Sequence, residues 1–386
     1  MNLLIHDLKD KEWADLSSDY EGWTVVTDNG EMHPCIGCFS CWYKDPGRCA
    51  IKDGYENMGE LIHNADEVVV ISRYTYGGFS HSVKNVFDRS LGFILPQFEL
   101  VEGESHHKKR YEEDKPFTFI FYGHDLSDEQ KANAYRYVKA VCTNIRGYVK
   151  AIEFREDKET GAKNKAPWVE TPSAGTRDKV VLLNGSMRSE RGNSAKFSAK
   201  LAEVIDAETE TIALKDHLSD INGLVRQLEE YEKIVFCVPL YVDGLPAQVI
   251  KFLEVFRDEY EGSSKKIYLL ANMGLYESSQ LVNLFSAVRE WCDEMGFEYS
   301  GGLGISAGEL LGTLLDSAPF RKGPNRKVAE GMDLLAAAIN EDRRVKDIFA
   351  EPHGFPRWLY IVIANINWNR LARRRGLKPK ELYRRL

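Results

Sequence analysis

Lys179-Val180-Val181-Leu182-Leu183-Asn184, then Gly185-Ser186-Met187-Arg188-Ser189-Glu190-Arg191-Gly192-Asn193-Ser194, then the segment 195–205 decide how this chain reads. The first six residues are an aliphatic run of strand length, and 195–205 carries helical spacing. A strand that turns straight into a helix presents unpaired backbone N–H groups and the positive end of the helix dipole, a natural seat for an anion. Gly185 and Gly192 let the backbone approach a ligand. Ser186, Ser189 and Ser194 supply hydroxyl donors, and Arg188 a guanidinium suited to phosphate. No Gly-Lys-Ser/Thr follows and no Gly-x-Gly-x-x-Gly is present, so this is neither a Walker loop nor a dinucleotide fingerprint. The plainer alternative is a polar turn with an Asn-Ser cap.

Outward from this stretch the same alternation continues. Leu224–Tyr231 and Ile234–Pro239 form a helix–strand pair, and Ala247–Phe256, Lys266–Ala271 and Ser279–Met295 follow. In the first half, Asn2–His6, Glu67–Ser72 and Phe117–Tyr122 read as strands. Asn57–Ala65, Ser82–Leu91 and Asp128–Asn144 read as helices, the last opened by Ser127 as N-cap. Short buried strands alternating with helices imply an α/β chain of two doubly wound parallel-sheet domains in tandem. The expected boundaries are 1–155 and 179–316, with a Lys-, Pro-, Thr- and Gly-rich linker at 156–178 and a helical, basic tail at 317–386. In such sheets ligands bind beyond the carboxyl ends of the strands. Pro239-Leu240-Tyr241-Val242-Asp243-Gly244 and Asn272-Met273-Gly274 therefore belong beside the phosphate loop, the former offering backbone amides to a planar ring.

GSMRSERGNS followed by PLYVDGLPAQVIKFLE resembles the NAD(P)H-dependent FMN reductase and iron–sulfur flavoprotein group of the flavodoxin-like superfamily. The resemblance implies FMN as cofactor, with its phosphate on Gly185, Ser186, Met187, Arg188, Ser189, Asn193 and Ser194. Its ring would lie against Pro239, Leu240, Tyr241, Val242, Asp243 and Gly244, with Asn272 and Gly274 at the same edge. NAD(P)H is then the electron donor, and a small acceptor such as a quinone, or a protein, the recipient. No residue stands out as an acid–base catalyst.

Cys35-x₂-Cys38-x₂-Cys41-x₇-Cys49 lies in a turn-rich segment of the first half. Thiolates so spaced can converge on one centre, and four suit either a [4Fe–4S] cluster or tetrahedral zinc. The segment resembles the compact cysteine motif of iron–sulfur flavoproteins, and Tyr74-x-Tyr76-Gly77-Gly78 and Lys84-x₃-Asp88-Arg89 extend that resemblance. A cluster, zinc and metal-free thiols remain open here. The loop after the first strand, His6–Trp13, has no glycine, and Asp7, Asp10 and Glu12 would repel a phosphate dianion. One half thus keeps cysteines without a cradle, the other a cradle without cysteines, as in a fused pseudo-dimer that places the cysteine loop near the flavin; homo-oligomers are also open.

Composition bounds the rest. A net charge of −8 argues against nucleic acid. No apolar run reaches membrane-spanning length, and nothing at the start reads as a secretory signal, so a cytoplasmic, reducing setting is expected. Cys142, Cys237 and Cys292 read as buried apolar thiols. His106-His107 falls in a charged stretch, 102–114, expected to be a solvated loop. Asp88-Arg89 is expected to form ion pairs. The basic residues Arg370, Arg373, Arg374, Arg375, Lys378, Lys380, Arg384 and Arg385 are expected on a solvated face of a docked tail, with anionic lipid or an acidic partner as the alternative. Two other function classes stay in view: a non-catalytic flavin-binding electron carrier and a zinc-stabilised scaffold.

Overall fold

The computed structural model describes residues 1–157 and 179–386. The expected linker lies, apart from Glu156 and Asp157, outside the described residues. The described chain divides into two units, one of residues 1–157 together with Trp358–Leu386, the other of residues 179–357.

The first unit contains β1 (Asn2–His6), β2 (Thr24–Val26), β3 (Glu67–Thr75), β4 (Gly78–Phe79), β5 (Ile94–Val101), β6 (Glu104–Lys109), β7 (Lys115–Gly123) and β8 (Gly147–Glu156), with β-branched and aromatic runs in β3 and β7. The main sheet runs β2-β1-β3-β7-β8, all parallel, with β4 antiparallel to β3. Helices His81–Arg89 and Asp128–Ile145 cross over it, the second capped by Ser127, whose hydroxyl accepts from the Gln130 amide at 3.2 Å. Phe79 fills the core between, its ring 4.9 Å from Phe87 and 5.9 Å from Phe121.

The second unit contains β9 (Lys179–Asn184), β10 (Glu208–Ala213), β11 (Lys233–Pro239), β12 (Lys266–Asn272), β13 (Glu298–Ile305) and β14 (Ile348–Ala350). Its sheet runs β10-β9-β11-β12-β13-β14, again parallel. The first five parallel strands of each unit follow the flavodoxin-like order 2-1-3-4-5, whose switch point falls between the first strand and the third. On one face of the second sheet Phe236, Phe256, Trp291 and Phe297 make an edge-on aromatic cluster. On the other, Phe197, Leu201, Val328, Met332 and Leu335 close a core cluster with Val180, Leu182 and Leu303.

Two expectations need correction. The 102–114 stretch is not a solvated loop: its first half closes the antiparallel β5–β6 ribbon through a two-residue turn, Glu102-Gly103, both at positive φ. His106 is buried with its Nδ1 2.7 Å from Asn144 Oδ1. His107 lies between Trp42 and Phe98, and burial pulls its pKa down to about 4. Nor does the tail expected at 317–386 form one piece. Helix Arg326–Asn340 and β14 complete the second sheet, while Trp358 onward belongs to the first unit. The apolar face Val328, Met332, Leu335, Ile339 explains why: it has the spacing of a core helix.

Candidate functional site

In the second unit the Gly185 amide donates to Cys237 O at 3.0 Å, joining β9's end to β11. A Cβ on Gly185 would come within 2.7 Å of Val249 Cγ2 and 2.8 Å of Val238 Cγ1, so only glycine lets the loop lie this close to the sheet. Ser186 is buried; its amide donates to Asn184 Oδ1 at 3.0 Å and its Oγ accepts from the Arg188 amide at 3.3 Å. A Cβ on Gly192 would meet that Oγ at 2.6 Å. The loop then enters helix Asn193–Ala202, whose N-cap is Gly192, with no side chain capping the first turn. Among the described residues the amides of Met187, Asn193, Ser194 and Ala195 have no acceptor, which leaves donors at a positive helix end. Arg188 bonds Glu309 at 3.1 Å, a partner the sequence did not reveal.

Beyond β11, Tyr241 and Gly244 exchange backbone hydrogen bonds at 3.0 Å each way around Val242 and Asp243. Both central residues have positive φ, 38° and 60°. A β-branched valine there is a strained choice, of the kind that concentrates at ligand-contacting turns. The following helix, Ala247–Glu259, begins after Pro246.

Asn272, at the end of β12, ties these loops together. Its Nδ2 donates to Ser194 Oγ at 2.7 Å and to Val238 O at 3.3 Å, and its carbonyl accepts from the Leu240 amide at 2.8 Å. The sequence placed Asn272 among cofactor contacts; its side chain is buried, with its Nδ2 bonded to protein. Gly274 stands in open space, where a Cβ would meet no atom within 4 Å. Asn272→Ala is expected to lower stability by about 2 kcal/mol by stranding the groups it bonds, as read from denaturant midpoints.

The corresponding loop of the first unit is built otherwise. Arg73, at the end of β3, pairs bidentately with Glu12 at 2.5 and 2.6 Å and also with Asp157. Both Asp7 carboxylate oxygens accept from the Arg73 amide, at 3.1 and 3.0 Å. Internal carboxylates thus occupy the end of this strand, in keeping with the charge repulsion expected there.

The cysteine loop wraps around Arg89, which is fully buried at the end of helix His81–Arg89. Its guanidinium bonds Asp53 at 2.7 and 2.8 Å, His33 O at 2.6 Å and Ile51 O at 3.4 Å. Asp53 is held down to about 2, against a desolvation that alone would raise it, by Arg89 and by the backbone amides of His33 and Tyr55. Burial pushes the Cys35 thiol up to about 12 and raises Cys41 well above the usual thiol range; Cys41 also feels the charges of Cys35, Cys49 and Cys38. The four sulfurs therefore share one neighbourhood, with Arg110 as a nearby cation to Cys41. Among the described residues no group of three or more His, Cys, Asp or Glu could hold a metal ion as placed. The last segment of the chain covers this loop: Arg384 bonds Asp45 and Pro46 O, Leu386 packs on Gly47, and Trp368 stands edge-on to Phe39 and Trp42. Arg110 donates to the carbonyls of Leu382 and Arg384 at 2.8 and 2.7 Å. Asp88 pairs with Lys84 inside the helix, as expected.

Residues 179–291 match the family model for NADPH-dependent FMN reductase. An iron–sulfur flavoprotein of Methanocaldococcus jannaschii is 37% identical over 69 residues, covering 17% of this chain and 35% of that protein. The iron–sulfur flavoprotein of Methanosarcina thermophila is 31% identical over 81 residues, 21% of this chain and 41% of that one. The matches thus span well under half of either relative. Among solved structures, an FMN-dependent NADH-azoreductase from Bacillus anthracis, in complex with FMN, aligns at a TM-score of 0.31 and 11% identity over 42% of this chain and 99% of that one. The fold itself rests on the strand order described above.

Proposed function

We propose that this chain, whose residues 179–291 match the family model for NADPH-dependent FMN reductase, is an FMN-dependent NAD(P)H oxidoreductase. The observation that carries the reading is the uncapped start of helix Asn193–Ala202, opening onto a loop whose amides of Met187, Asn193 and Ser194 have no internal acceptor. These amides, with the Ser186 and Ser194 hydroxyls, suit a phosphate monoester. The strained Val242-Asp243 turn would present its backbone to the ring. When bound, FMN would supply the exchange of electrons between nicotinamide and an acceptor such as a quinone or a protein. What the chain adds is position: Gly185 seats the loop on the sheet, and Asn272 fixes the spacing of the helix start against the ring-side turn.

On the same reading Cys35, Cys38, Cys41 and Cys49 are ligands of an iron–sulfur cluster in a cytoplasmic enzyme. Their number, spacing and shared neighbourhood support this, as do Arg89 and Arg110, cations placed to offset a cluster's negative charge.

Anaerobic purification is expected to yield a yellow-brown protein with one FMN and about four iron atoms per chain, and NADH or NADPH is expected to bleach the flavin band. Tight FMN binding without bleaching would instead identify a non-catalytic carrier. A colourless, zinc-containing protein would identify a scaffold.

A further inference from the structure

We infer that the outer face of helix Arg357–Arg374 is a docking surface for an anionic phospholipid bilayer. This inference stands independently of the redox function proposed above.

One face of the helix is already used. Tyr360 is buried and its ring lies 5.8 Å from that of Phe98; Asn365 accepts from the Phe98 amide at 2.7 Å and donates to its carbonyl at 3.1 Å. Trp368 and Ala372 continue that inner face. Positions 358, 362 and 366, one helical turn apart, point the other way with Ile363 beside them. Trp358 is 66% exposed, Val362 47%, Ile363 41% and Ile366 55%. Four such side chains in a nine-residue span form a contiguous apolar stripe of the kind that marks an interaction site.

Charge decides what the stripe meets. The next exposed positions along the same side are Arg370, Arg373 and Arg374. Neither these nor Lys380 has an ion-pair partner among the described residues. By contrast Arg384 and Arg385 pair with Asp45 and Glu112, and Arg375 lies over the Tyr43 ring, so the internally engaged cations are a separate set. Residues 357–386 hold nine Lys and Arg and a single Glu, so a chain of net charge −8 carries +8 here and −16 elsewhere. No acid interrupts 357–380. A helix lying in the interface plane would sink Trp358, Val362, Ile363 and Ile366 below the headgroups while the arginines snorkel to lipid phosphates. No helix among the described residues is long and apolar enough to cross a membrane, so the attachment is peripheral.

The test is co-sedimentation of the full chain with extruded phosphatidylcholine vesicles containing about a third phosphatidylserine, beside vesicles of phosphatidylcholine alone. The chain should pellet with the first and not the second, and about 0.5 M salt should release it. Arg370→Gln/Arg373→Gln/Arg374→Gln should weaken binding at least about 30-fold. Val362→Asn/Ile366→Asn, both exposed and neutral to folding, should do so at least about 10-fold. No pelleting with the anionic vesicles, or pelleting untouched by both variants, overturns the assignment. A concentration-dependent doubling of mass in light scattering, abolished by Val362→Asn/Ile366→Asn, would give the face to a second copy and overturn it as well.

Discussion

Ser189→Asp is expected to weaken FMN binding at least about 100-fold, equal to about 2.7 kcal/mol, while leaving riboflavin binding unchanged. Ser189 has φ of 50°, a left-handed conformation that Asp tolerates better than almost any other residue with a side chain, so the loop keeps its path. What changes is charge. A carboxylate some 5 Å from a phosphate dianion costs on the order of 3 kcal/mol per unit charge at an effective dielectric of about 20, before screening. Riboflavin lacks the phosphate and serves as the internal control, since it meets the same ring-side turn. Fluorescence quenching titrations of both ligands read the difference directly. Equal FMN affinity in variant and parent would show that the loop between β9 and helix Asn193–Ala202 does not hold the phosphate.

Replacing Arg89 by Met should cost about 3–5 kcal/mol and release the cysteine loop, because it strands a buried carboxylate that nothing else neutralises. Asp53, only 8% exposed, loses two hydrogen bonds, and the His33 and Ile51 carbonyls lose a donor each. The pH dependence follows from the sign of the Asp53 shift. Its folded-state pKa of about 2 lies below the unfolded value, so the pair stabilises the parent fully above about pH 4 and progressively less as pH falls toward 2. In Arg89→Met only the His33 and Tyr55 amides oppose the desolvation, so the carboxyl moves up from about 2 and the variant's deficit should shrink as the pH falls. Urea midpoints at neutral pH and near pH 4.5, with iron content per chain, distinguish the two. An unchanged midpoint with full iron would mean that Arg89 does not organise the loop.

The parts of this molecule that can be read from residues alone are those where one segment contains its own reason. β9 and its loop are such a case: an aliphatic run, a glycine packed against Val238 and Val249, and a helix start lie within sixteen residues. The cysteine spacing is another. What escaped notice depends on partners distant in the chain. The bonds from the Asn272 amide to Ser194 and Val238 join residues 78 and 34 positions apart. The Glu309 carboxylate that Arg188 bonds lies 121 residues further along the chain. β6 was hidden because Glu, His and Lys dominate its composition, although Ser105 and His106 pack inward. β14 is only three residues long, too short for any alternation to show, and it is recruited by β13 rather than by its own propensity.

The division of the chain has a temporal side. The first unit is discontinuous, with its Trp358–Leu386 portion made only after some two hundred intervening residues. At about 5–20 residues per second, ribosomes need on the order of 10–40 s to cover that distance. Throughout that interval Asp45, Gly47, Phe39 and Trp42 lack the Arg384, Leu386 and Trp368 side chains that later shield them. The nascent cysteine loop thus stays uncovered until residues 368–386 have emerged, and its closure is ordered by how far along the chain its cover is encoded.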